Sequence, residues 1–385
     1  MDLPTPPNLE AVKSLSPSFY NTALICQARA AWQQFGKRDL IPSPTGGLLG
    51  ACFHAVMDAA NSGRIPAGLA AIKSAQDIFD AEARTLLTVS HPLVRAKFAF
   101  PERIPFYFQR RGRAVQLASQ AAVTLPVAEL TTSKAKLSQP VPMSARPRLV
   151  EQTLASKDGE IKGRIDLWDR ALAKVVDYKS GQEPKNNEEP LSPNEIRQLR
   201  LYVYLALQND LSVKKAAIVR GSGQIVEIEI SSAEAEKEAV SAKQLLLKFN
   251  DAVSKGATFS SMATPSATAC GGCPCIPLCN SFWANADKSW EASCGTHVQG
   301  KITSQQDANF SGTVLRTLTL VDCKGSTPLL EATVEQIPLP WLSIGTSIPA
   351  IGDTIRIIAG GRLTLDPQAR VLHVDKLKST AIWKV

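Results

Sequence analysis

The chain has 385 residues, of which 44% are apolar and 20% are charged, and it carries a formal net charge of +8. This composition excludes a disordered chain, and the length predicts two domains or one domain with an appendage. Because the sequence contains no run of about 18 apolar residues and no signal segment at its start, we expect no membrane association and a cytoplasmic location, where the eight cysteines stay thiols or bind metal.

Three helices are predicted before the first strand. The first spans residues 16–35, with Ser16 as its N-cap and Gly36 just past its end. The second covers about 48–61 and carries an apolar stripe, and the third covers 67–90.

An alternation of strands and helices follows. Residues 121–150 hold extended pieces bounded by proline, and they lead into a strand at 149–154. Two further strands, at 160–167 and 172–179, form a hairpin. The later elements are a helix opened by the capping box Ser192-Pro193-Asn194-Glu195 and ending at Gln208, strands at 215–220 and 224–230, and a helix at 233–254. This alternation predicts an α/β fold in which a mixed sheet is flanked by helices.

The pattern changes at Gly295, where helical periodicity ends. Short alternating runs broken by Gly and Pro occupy 311–322, 328–336, 352–358, 361–365 and 371–377. They predict a small closed β-barrel similar to an OB-fold, and hence two domains at 1–294 and 295–385. Residues 295–301 spell most of a phosphate-binding loop, but Ile302 replaces its Ser or Thr and a strand follows, so we exclude an ATP site.

The hairpin carries the most informative residues. Its pairing brings Asp166 and Asp177 side by side, and Lys179 shares the face of Asp177. Two clustered carboxylates repel each other unless a cation lies between them, and oxygen ligands suit Mg²⁺ or Mn²⁺. A metal bound by carboxylates beside an ammonium supplies what phosphodiester hydrolysis needs. The alternative is a solvated hairpin with a surface Asp–Lys pair.

Basic residues are concentrated in one segment. Residues 93–148 contain ten Lys or Arg and two acidic residues, interleaved with Phe and Tyr. This mixture is typical of a groove that follows phosphates and stacks bases. The alternative is a basic surface over an aromatic core.

Four cysteines are closely spaced near the end of the first predicted domain. Cys270, Cys273 and Cys279 have the spacing of a thiolate cluster, with glycines and prolines turning the chain between them. A fourth ligand is required, and Cys275 lies inside the interval. A purely local set of four thiolates binds zinc.

Together these pieces resemble the PD-(D/E)XK nuclease superfamily, in particular its RecB and AddB type branch with an iron–sulfur cluster, which includes exonucleases that accompany CRISPR systems. The ordered pieces are Ser16-Pro17-Ser18-Phe19-Tyr20 leading into Cys26, Gly50-x₃-His54, Glu151, Gly163-Arg164-Ile165-Asp166, Asp177-Tyr178-Lys179, Gln198-x₃-Tyr202 and Cys270-x₂-Cys273-x₅-Cys279.

The resemblance implies a role for each of these residues. His54, Asp166, Asp177 and the main-chain carbonyl of Tyr178 would hold Mg²⁺ or Mn²⁺, although a lone histidine beside an apolar stripe is otherwise a core residue. Lys179 would stabilise charge on the phosphate. The supporting residues would be Glu151 near the metal, and Gln198 and Tyr202 at the phosphate or at Lys179.

The cysteines take their role from the same resemblance. Cys26 would join Cys270, Cys273 and Cys279 around a [4Fe–4S] cluster that staples the first helix to the end of the domain. Zinc remains the alternative if Cys275 replaces Cys26.

The expected function is a metal-dependent nuclease acting on DNA that is single-stranded or has free ends, in repair, recombination or anti-phage defence. A separate helicase or defence-complex subunit would be its partner. The alternative is a non-catalytic nucleic-acid-binding subunit that keeps the nuclease fold as a scaffold.

Overall fold

The computed structural model describes residues 3–36, 40–41, 45–90, 92–123, 143–181, 190–326, 331–338, 348–358, 364–366, 371–373 and 381–385. Its helices are α1 Pro17–Ile25, α2 Gln27–Phe35, α3 Thr45–Asn61, α4 Leu69–Val89, α5 Pro92–Lys97, α6 Tyr107–Val123, α7 Pro193–Gln208, α8 Ser232–Ser254, α9 Ala267–Cys270, α10 Asn280–Asn285 and α11 Glu291–Cys294. Its strands are β1 Arg148–Ala155, β2 Lys162–Asp169, β3 Lys174–Lys179, β4 Lys215–Arg220, β5 Ile225–Ile228, β6 His297–Phe310, β7 Thr313–Lys324, β8 Glu331–Pro338, β9 Thr354–Ile358, β10 Thr364–Asp366, β11 Val371–His373 and β12 Ala381–Lys384.

The first sheet has five strands in the order β1-β2-β3-β4-β5. Strands β3 and β4 are parallel and α7 connects them, whereas the other neighbouring pairs are antiparallel. A parallel pair needs such a crossover because a tight turn cannot join its ends. The mixed sheet predicted from the sequence is therefore confirmed.

Helices cover both faces of this sheet. On one face, α1, α2, α7 and α8 share a core with Val175 and Ile218, and on the other, α3, α4 and α6 pack with Val176 and Ala217. Neighbouring strand residues point to opposite faces, which is why adjacent apolar residues such as Val175 and Val176 of β3, or Ala217 and Ile218 of β4, are both buried.

Two helical predictions were wrong. The single helix predicted over 16–35 is two helices, because Cys26 has an extended backbone (φ −160°, ψ 116°) and ends α1 before α2 begins. No helix was predicted where α6 lies, and the first residues of the extended segment predicted over 121–150 belong to that helix. Residues 124–142 lie outside the described part of the chain.

The second sheet has the strand order β10-β11-β8-β7-β6-β9-β12 in the described residues. Five strands were predicted here, and β6 and β12 were missed. The turn between β6 and β7 is Ser311-Gly312, where both residues have positive φ as a two-residue hairpin turn requires. Parts of the predicted strands 328–336, 361–365 and 371–377 lie outside the described residues. The apolar inner faces of these strands form a separate core that includes Val298, Leu320 and Ile357.

The second sheet packs against the first part of the chain. The indole Nε1 of Trp383 donates to the carbonyl of Leu40 at 3.0 Å, and the amide of Leu3 donates to the carbonyl of Lys384 at 3.2 Å. Trp383 is buried in the core that α1, α2 and α8 share. Across the described ranges, every helix falls short of the length and apolar character that a membrane crossing requires.

Candidate active site

The site lies where strands β2 and β3 separate. Their ladder ends at the pair Leu167–Val176, and beyond that pair Asp166 Oδ2 accepts the main-chain amide of Tyr178 at 2.7 Å. The side chain thus replaces a ladder hydrogen bond, so the amide stays paired although it is buried. Both Asp166 and Asp177 are buried at this point.

Glu151 enters the same space from β1. It lies between the pairs Val150–Leu167 and Gln152–Ile165, hence opposite Asp166, and it has a positive φ of 49°. A left-handed backbone strains a residue that has a Cβ, and such strain is often found at functional sites. The distortion directs a second carboxylate toward Asp166.

His54 comes from α3, above the sheet. Its Nδ1 lies 3.6 Å from Asp166 Oδ2 and 3.8 Å from Glu151 Oε1. Gly50 is one turn earlier, and a Cβ there would lie 2.7 Å from Ser180 Oγ. Glycine therefore lets α3 approach the end of β3, which explains the Gly-x₃-His spacing. His54 faces two carboxylates, and not the apolar core that the alternative predicted.

Several carboxylates lie close together at this site, and both aspartates are buried. Burial, reinforced by the charge of Asp177, raises the pKa of Asp166 to about 6. Burial also raises the pKa of Asp177, against the opposing Lys179 ammonium. Burial by itself would lower the pKa of His54, but Glu151 and the aspartates outweigh it and raise that pKa. A cation between these groups would relieve the repulsion.

Asp177 and Lys179 form a network with α7. Asp177 Oδ2 lies 2.8 Å from Lys179 Nζ, and Lys179 Nζ donates to Gln198 Oε1 at 3.0 Å. The amide of Gln198 donates to Asp177 Oδ1 at 2.9 Å and to the Tyr202 hydroxyl at 3.0 Å. The structure therefore brings together the sequence-predicted pair on α7 and the Asp–Lys pair on β3.

Helix α7 is fixed at its start. Its N-cap Ser192 forms the predicted capping box with Glu195, which also accepts two hydrogen bonds from Arg220 of β4, at 2.6 and 3.2 Å. Gly163 of β2 lets the helix approach the sheet, because a Cβ there would lie 3.1 Å from the Tyr202 ring. These contacts hold Gln198 and Tyr202 over the carboxylates.

The side chains of His54, Glu151, Asp166, Asp177, Lys179, Gln198 and Tyr202 line one cleft of about 700 Å³. Four further polar side chains of its lining had no predicted role: Ser18, Asp58, Glu82 and Arg164. Arg164 Nε lies 2.8 Å from Glu151 Oε2. Its position directly after Gly163 in the quoted motif was the available signal, whereas Glu82 reaches the cleft from α4 by tertiary packing alone.

Three side chains have the geometry of a metal site. Ligand atoms of His54, Glu151 and Asp166 all lie within 4.8 Å of one another. Imidazole nitrogen with two carboxylates suits Mn²⁺ or Mg²⁺. Glu151 Oε2 and Asp177 Oδ2 are buried without a hydrogen bond, although each contacts a cation. The donor set fits a divalent ion. It includes Glu151, which the sequence predicted only as a supporting residue, whereas Asp177, predicted as a ligand, contacts Lys179.

The cysteines form a second group, most of which lies at residues 270–279, far from the carboxylates in the sequence. Cys270 ends α9, Cys279 precedes α10, and Cys273 lies between them with its thiol bonded to Cys275. This contact is a hydrogen bond between two free thiols; followed by weaker effects that include the charge of Arg29, it lowers the pKa of Cys273 to about 7. Cys294 at the end of α11 lies near Cys270, and it is buried.

Cys26 is held beside this loop by its neighbours. Thr264 Oγ1 donates to the carbonyl of Ile25 at 3.2 Å, and the amide of Ala28 donates to the carbonyl of Met262 at 3.2 Å. Burial raises the pKa of Cys279, and the hydrogen bond with Cys273 followed by burial raises that of Cys275, with Cys26 as a smaller contributor to both. The structure therefore brings both candidate fourth ligands, Cys26 and Cys275, to the same place.

Comparisons with known proteins agree with this arrangement. A family model of the PD-(D/E)XK nuclease superfamily matches residues 14–280, which include all the residues of the cleft and the candidate cluster ligands. No curated protein matches the sequence significantly. Ten chains of solved structures match. One, the crystal structure of SSO0001, is 17% identical over 46% of this chain and 80% of the other, with a TM-score of 0.22, and so weak a likeness supports no structural argument.

Proposed function

The chain belongs to the PD-(D/E)XK nuclease superfamily, and from that premise we propose that it is a Mg²⁺- or Mn²⁺-dependent deoxyribonuclease acting on single strands or duplex ends. The observation that supports this most is the convergence of His54, Glu151 and Asp166 within 4.8 Å, in the cleft that also holds Asp177 and Lys179. A role in repair, recombination or anti-phage defence, with a separate helicase or defence subunit, rests on the resemblance alone.

His54, Glu151 and Asp166 would hold the divalent ion, with Asp177 and the carbonyl of Tyr178 as further candidate ligands. When bound, the ion would neutralise charge on the scissile phosphate and activate water. The buried carboxylates suit this role because their mutual repulsion favours a cation. The Arg164 guanidinium would orient Glu151 through its 2.8 Å contact.

Lys179 would contact an oxygen of the scissile phosphate. Its ammonium is held by Asp177 and Gln198, yet its side chain is about one-third exposed, at 31%, in the cleft. A positioned cation stabilises the charge that develops on the phosphate in the transition state. Gln198 would act on Lys179 and Asp177 as a positioning residue, and Tyr202 would fix the amide of Gln198.

A surface on and before α6 supports binding of unpaired DNA. Phe100, Phe106 and Phe108 are 59%, 69% and 63% exposed, whereas Phe98 and Tyr107 of the same segment are buried. The Arg103 guanidinium lies 5.8 Å from the Phe100 ring centre. Exposed rings beside cations bind single strands by stacking bases and attracting phosphates.

Two nearby arginines strengthen this assignment. Arg110 and Arg113 make no ion pair in the part of the chain that the structure describes, and burial together with the charge of Arg113 lowers the pKa of Arg110. Two guanidiniums that repel each other would be stabilised by a phosphate. Helix α6 packs on α3, which carries His54, so the surface and the cleft share one helical layer.

We further propose a [4Fe–4S] cluster held by Cys26, Cys270, Cys273 and Cys279. Cys26 lies beside the loop that carries the other three cysteines, as the resemblance requires, and the choice of an iron–sulfur cluster over zinc rests on that resemblance.

The second sheet would be an OB-like barrel forming its own domain at 295–385. Strand β6 pairs with β7 and β9, and β8 pairs with β7 and runs parallel to β11. Strand β12 pairs with β9, and β11 pairs with β10. An OB-fold has these neighbours if β9 and β10 belong to one strand and β11 and β12 to another.

Cleavage of end-labelled oligonucleotides tests the proposal. Anaerobically purified protein should cut single-stranded DNA with Mn²⁺ or Mg²⁺, and Lys179→Ala should remove at least about 99% of the rate. Lys174→Ala is the matched control, because Lys174 lies on the same strand but pairs with Glu227 at the surface. Tight, salt-sensitive DNA binding without any cleavage by the wild type would instead support the non-catalytic subunit.

A further inference from the structure

A buried arginine of the second sheet contacts only neutral groups in the part of the chain that the structure describes. Arg356 of β9 is 5% exposed, and its guanidinium donates to Pro277 O at 2.6 Å, Gln299 Oε1 at 2.7 Å and Asn280 Oδ1 at 2.9 Å. The guanidinium also lies 5.2 Å from the Trp283 ring centre. All of these partners are neutral, so among the described residues the buried positive charge has no counter-ion.

A second arginine contacts the residue that precedes Cys270. Arg29 of α2 donates from Nη1 to the carbonyl of Ala269 at 3.4 Å, and its Nε is buried without a hydrogen bond. Among the residues for which the structure gives positions, no carboxylate forms an ion pair with Arg29 or with Arg356. Both cations are therefore unbalanced.

The two guanidiniums contact the two ends of the cysteine loop, residues 270–279. Arg356 contacts Pro277 and Asn280, the residues that bracket Cys279, and Arg29 contacts Ala269, which precedes Cys270. A buried charge without a partner costs several kcal/mol, so the buried Arg356, with the half-buried Arg29 against the same loop, indicates a missing anion. The cysteines can supply one, because Arg29 interacts electrostatically with Cys273 and Arg356 with Cys279.

We propose that Arg29 and Arg356 are the counter-ions of an anionic metal–thiolate centre at the cysteine loop. The inference deepens the proposed cofactor assignment and depends on it. Four thiolates outweigh the positive charge of one cluster or one zinc ion, so the centre is a net anion. Arg356 belongs to the second sheet, so occupancy of the centre also strengthens the packing of that sheet against the loop.

A variant that lacks the Arg356 guanidinium, Arg356→Gln, should still fold. The second sheet keeps two contacts that do not involve Arg356, from Trp383 to Leu40 and from Leu3 to Lys384. Thermal unfolding of Arg356→Gln, followed by circular dichroism, should therefore still be cooperative. Arg316→Gln is the matched control, because Arg316 lies on the same sheet but is paired with Asp307 at 2.7 Å.

An anaerobic redox titration of the full chain tests the proposal. Reduction adds negative charge, which a neighbouring cation favours, so Arg356→Gln and Arg29→Gln should each lower the midpoint potential. We expect an electron affinity about tenfold weaker, which is about 59 mV for one electron. Arg356→Lys, which keeps the charge, should recover most of the shift, and Arg316→Gln should have none. The glutamine variants should also lose iron faster to a chelator.

The outcomes separate this proposal from the cofactor assignment. An iron-containing wild type whose potential and iron retention are unchanged in both glutamine variants would overturn the counter-ion role and leave the cluster intact. A colourless wild type with zinc would replace the cluster, and faster zinc release from the glutamine variants would then support the counter-ion role. A wild type without bound metal would overturn both.

Discussion

Asp166 accepts the main-chain amide of Tyr178 at 2.7 Å, where β2 and β3 part. The same carboxyl therefore closes the sheet and belongs to the candidate metal group. An asparagine there keeps an oxygen to accept the amide but removes the charge. Structure and metal binding are thus separable at this position.

Asp166→Asn should stabilise the metal-free protein. Folding raises the pKa of Asp166 from 3.8 to about 6, so the carboxyl favours the folded state only below 3.8 and this contribution is lost as the pH rises to 6. Above about pH 6 the ionised carboxyl therefore lowers the free energy of unfolding by an amount on the order of 3 kcal/mol. We expect urea unfolding with EDTA at about pH 7.5 to show the variant about 1–3 kcal/mol more stable.

Added Mn²⁺ should reverse this order. A ligand that binds only the folded state stabilises it, so the wild type should gain stability with Mn²⁺ and Asp166→Asn should gain little. Equal Mn²⁺ stabilisation of both proteins would contradict a role for Asp166 in metal binding.

Gly50→Ala should displace α3 and with it His54. The new Cβ would lie 2.7 Å from Ser180 Oγ, which is too close for either atom to stay in place. We expect about tenfold weaker Mn²⁺ binding by calorimetry. Ser180→Ala in the same chain should restore most of the affinity, because the two changes are coupled through one contact. An unrescued defect would show that Gly50 acts otherwise.

His297 should make stability depend on pH. Burial lowers its pKa to about 4, its Nε2 lies 2.8 Å from the carbonyl of Cys294, and its Nδ1 has no hydrogen bond. The group therefore stays neutral when folded, and stability is lost as the pH falls below 6.5 toward 4. Between about pH 7.5 and 5, the wild type should lose about 2 kcal/mol more than His297→Gln. Parallel losses would indicate that His297 is solvated.

The exposed rings before and on α6 should bind unpaired bases. Phe106→Ala and Phe108→Ala should each weaken binding of a single-stranded oligonucleotide about fivefold to a hundredfold in fluorescence anisotropy, because stacking contributes about 1–3 kcal/mol per base. Leu69→Ala is a control, since Leu69 is an exposed apolar residue of α4. The proposal fails if the control weakens binding as much as the phenylalanine variants do.

Arg110 and Arg113 should act on phosphates and not on bases. Replacing each with Gln should reduce the salt dependence of single-strand binding by about 0.7 in the slope of log K against log salt. Binding measured across a series of salt concentrations checks this. An unchanged slope would place the phosphates elsewhere.

Much of the site was predictable from the sequence because it depends on local spacing. Gly50 and His54 share a helix face, the capping box at Ser192 sets the start of α7, and the hairpin brings Asp166 to Asp177. Each of these relationships involves neighbours in the chain or a single turn.

The missed features depend on distant parts of the chain. The break at Cys26 has no Pro or Gly to mark it, and it arises where its neighbours bond to Met262 and Thr264. Strand β6 is polar and exposed in its outer half, so pairing with β7 defines it and not hydrophobic alternation. Glu151 points at Asp166 only because its backbone is left-handed, which no local signal marks.

The most direct test of the central claim is the rate at which wild type and Asp166→Asn cleave end-labelled single-stranded DNA during a Mn²⁺ titration. The wild type should cut with a rate that rises and saturates with Mn²⁺, and the folded variant should remain at least about a hundredfold slower at every concentration. Wild-type protein that never cuts, or a variant that cuts as fast, would contradict the account.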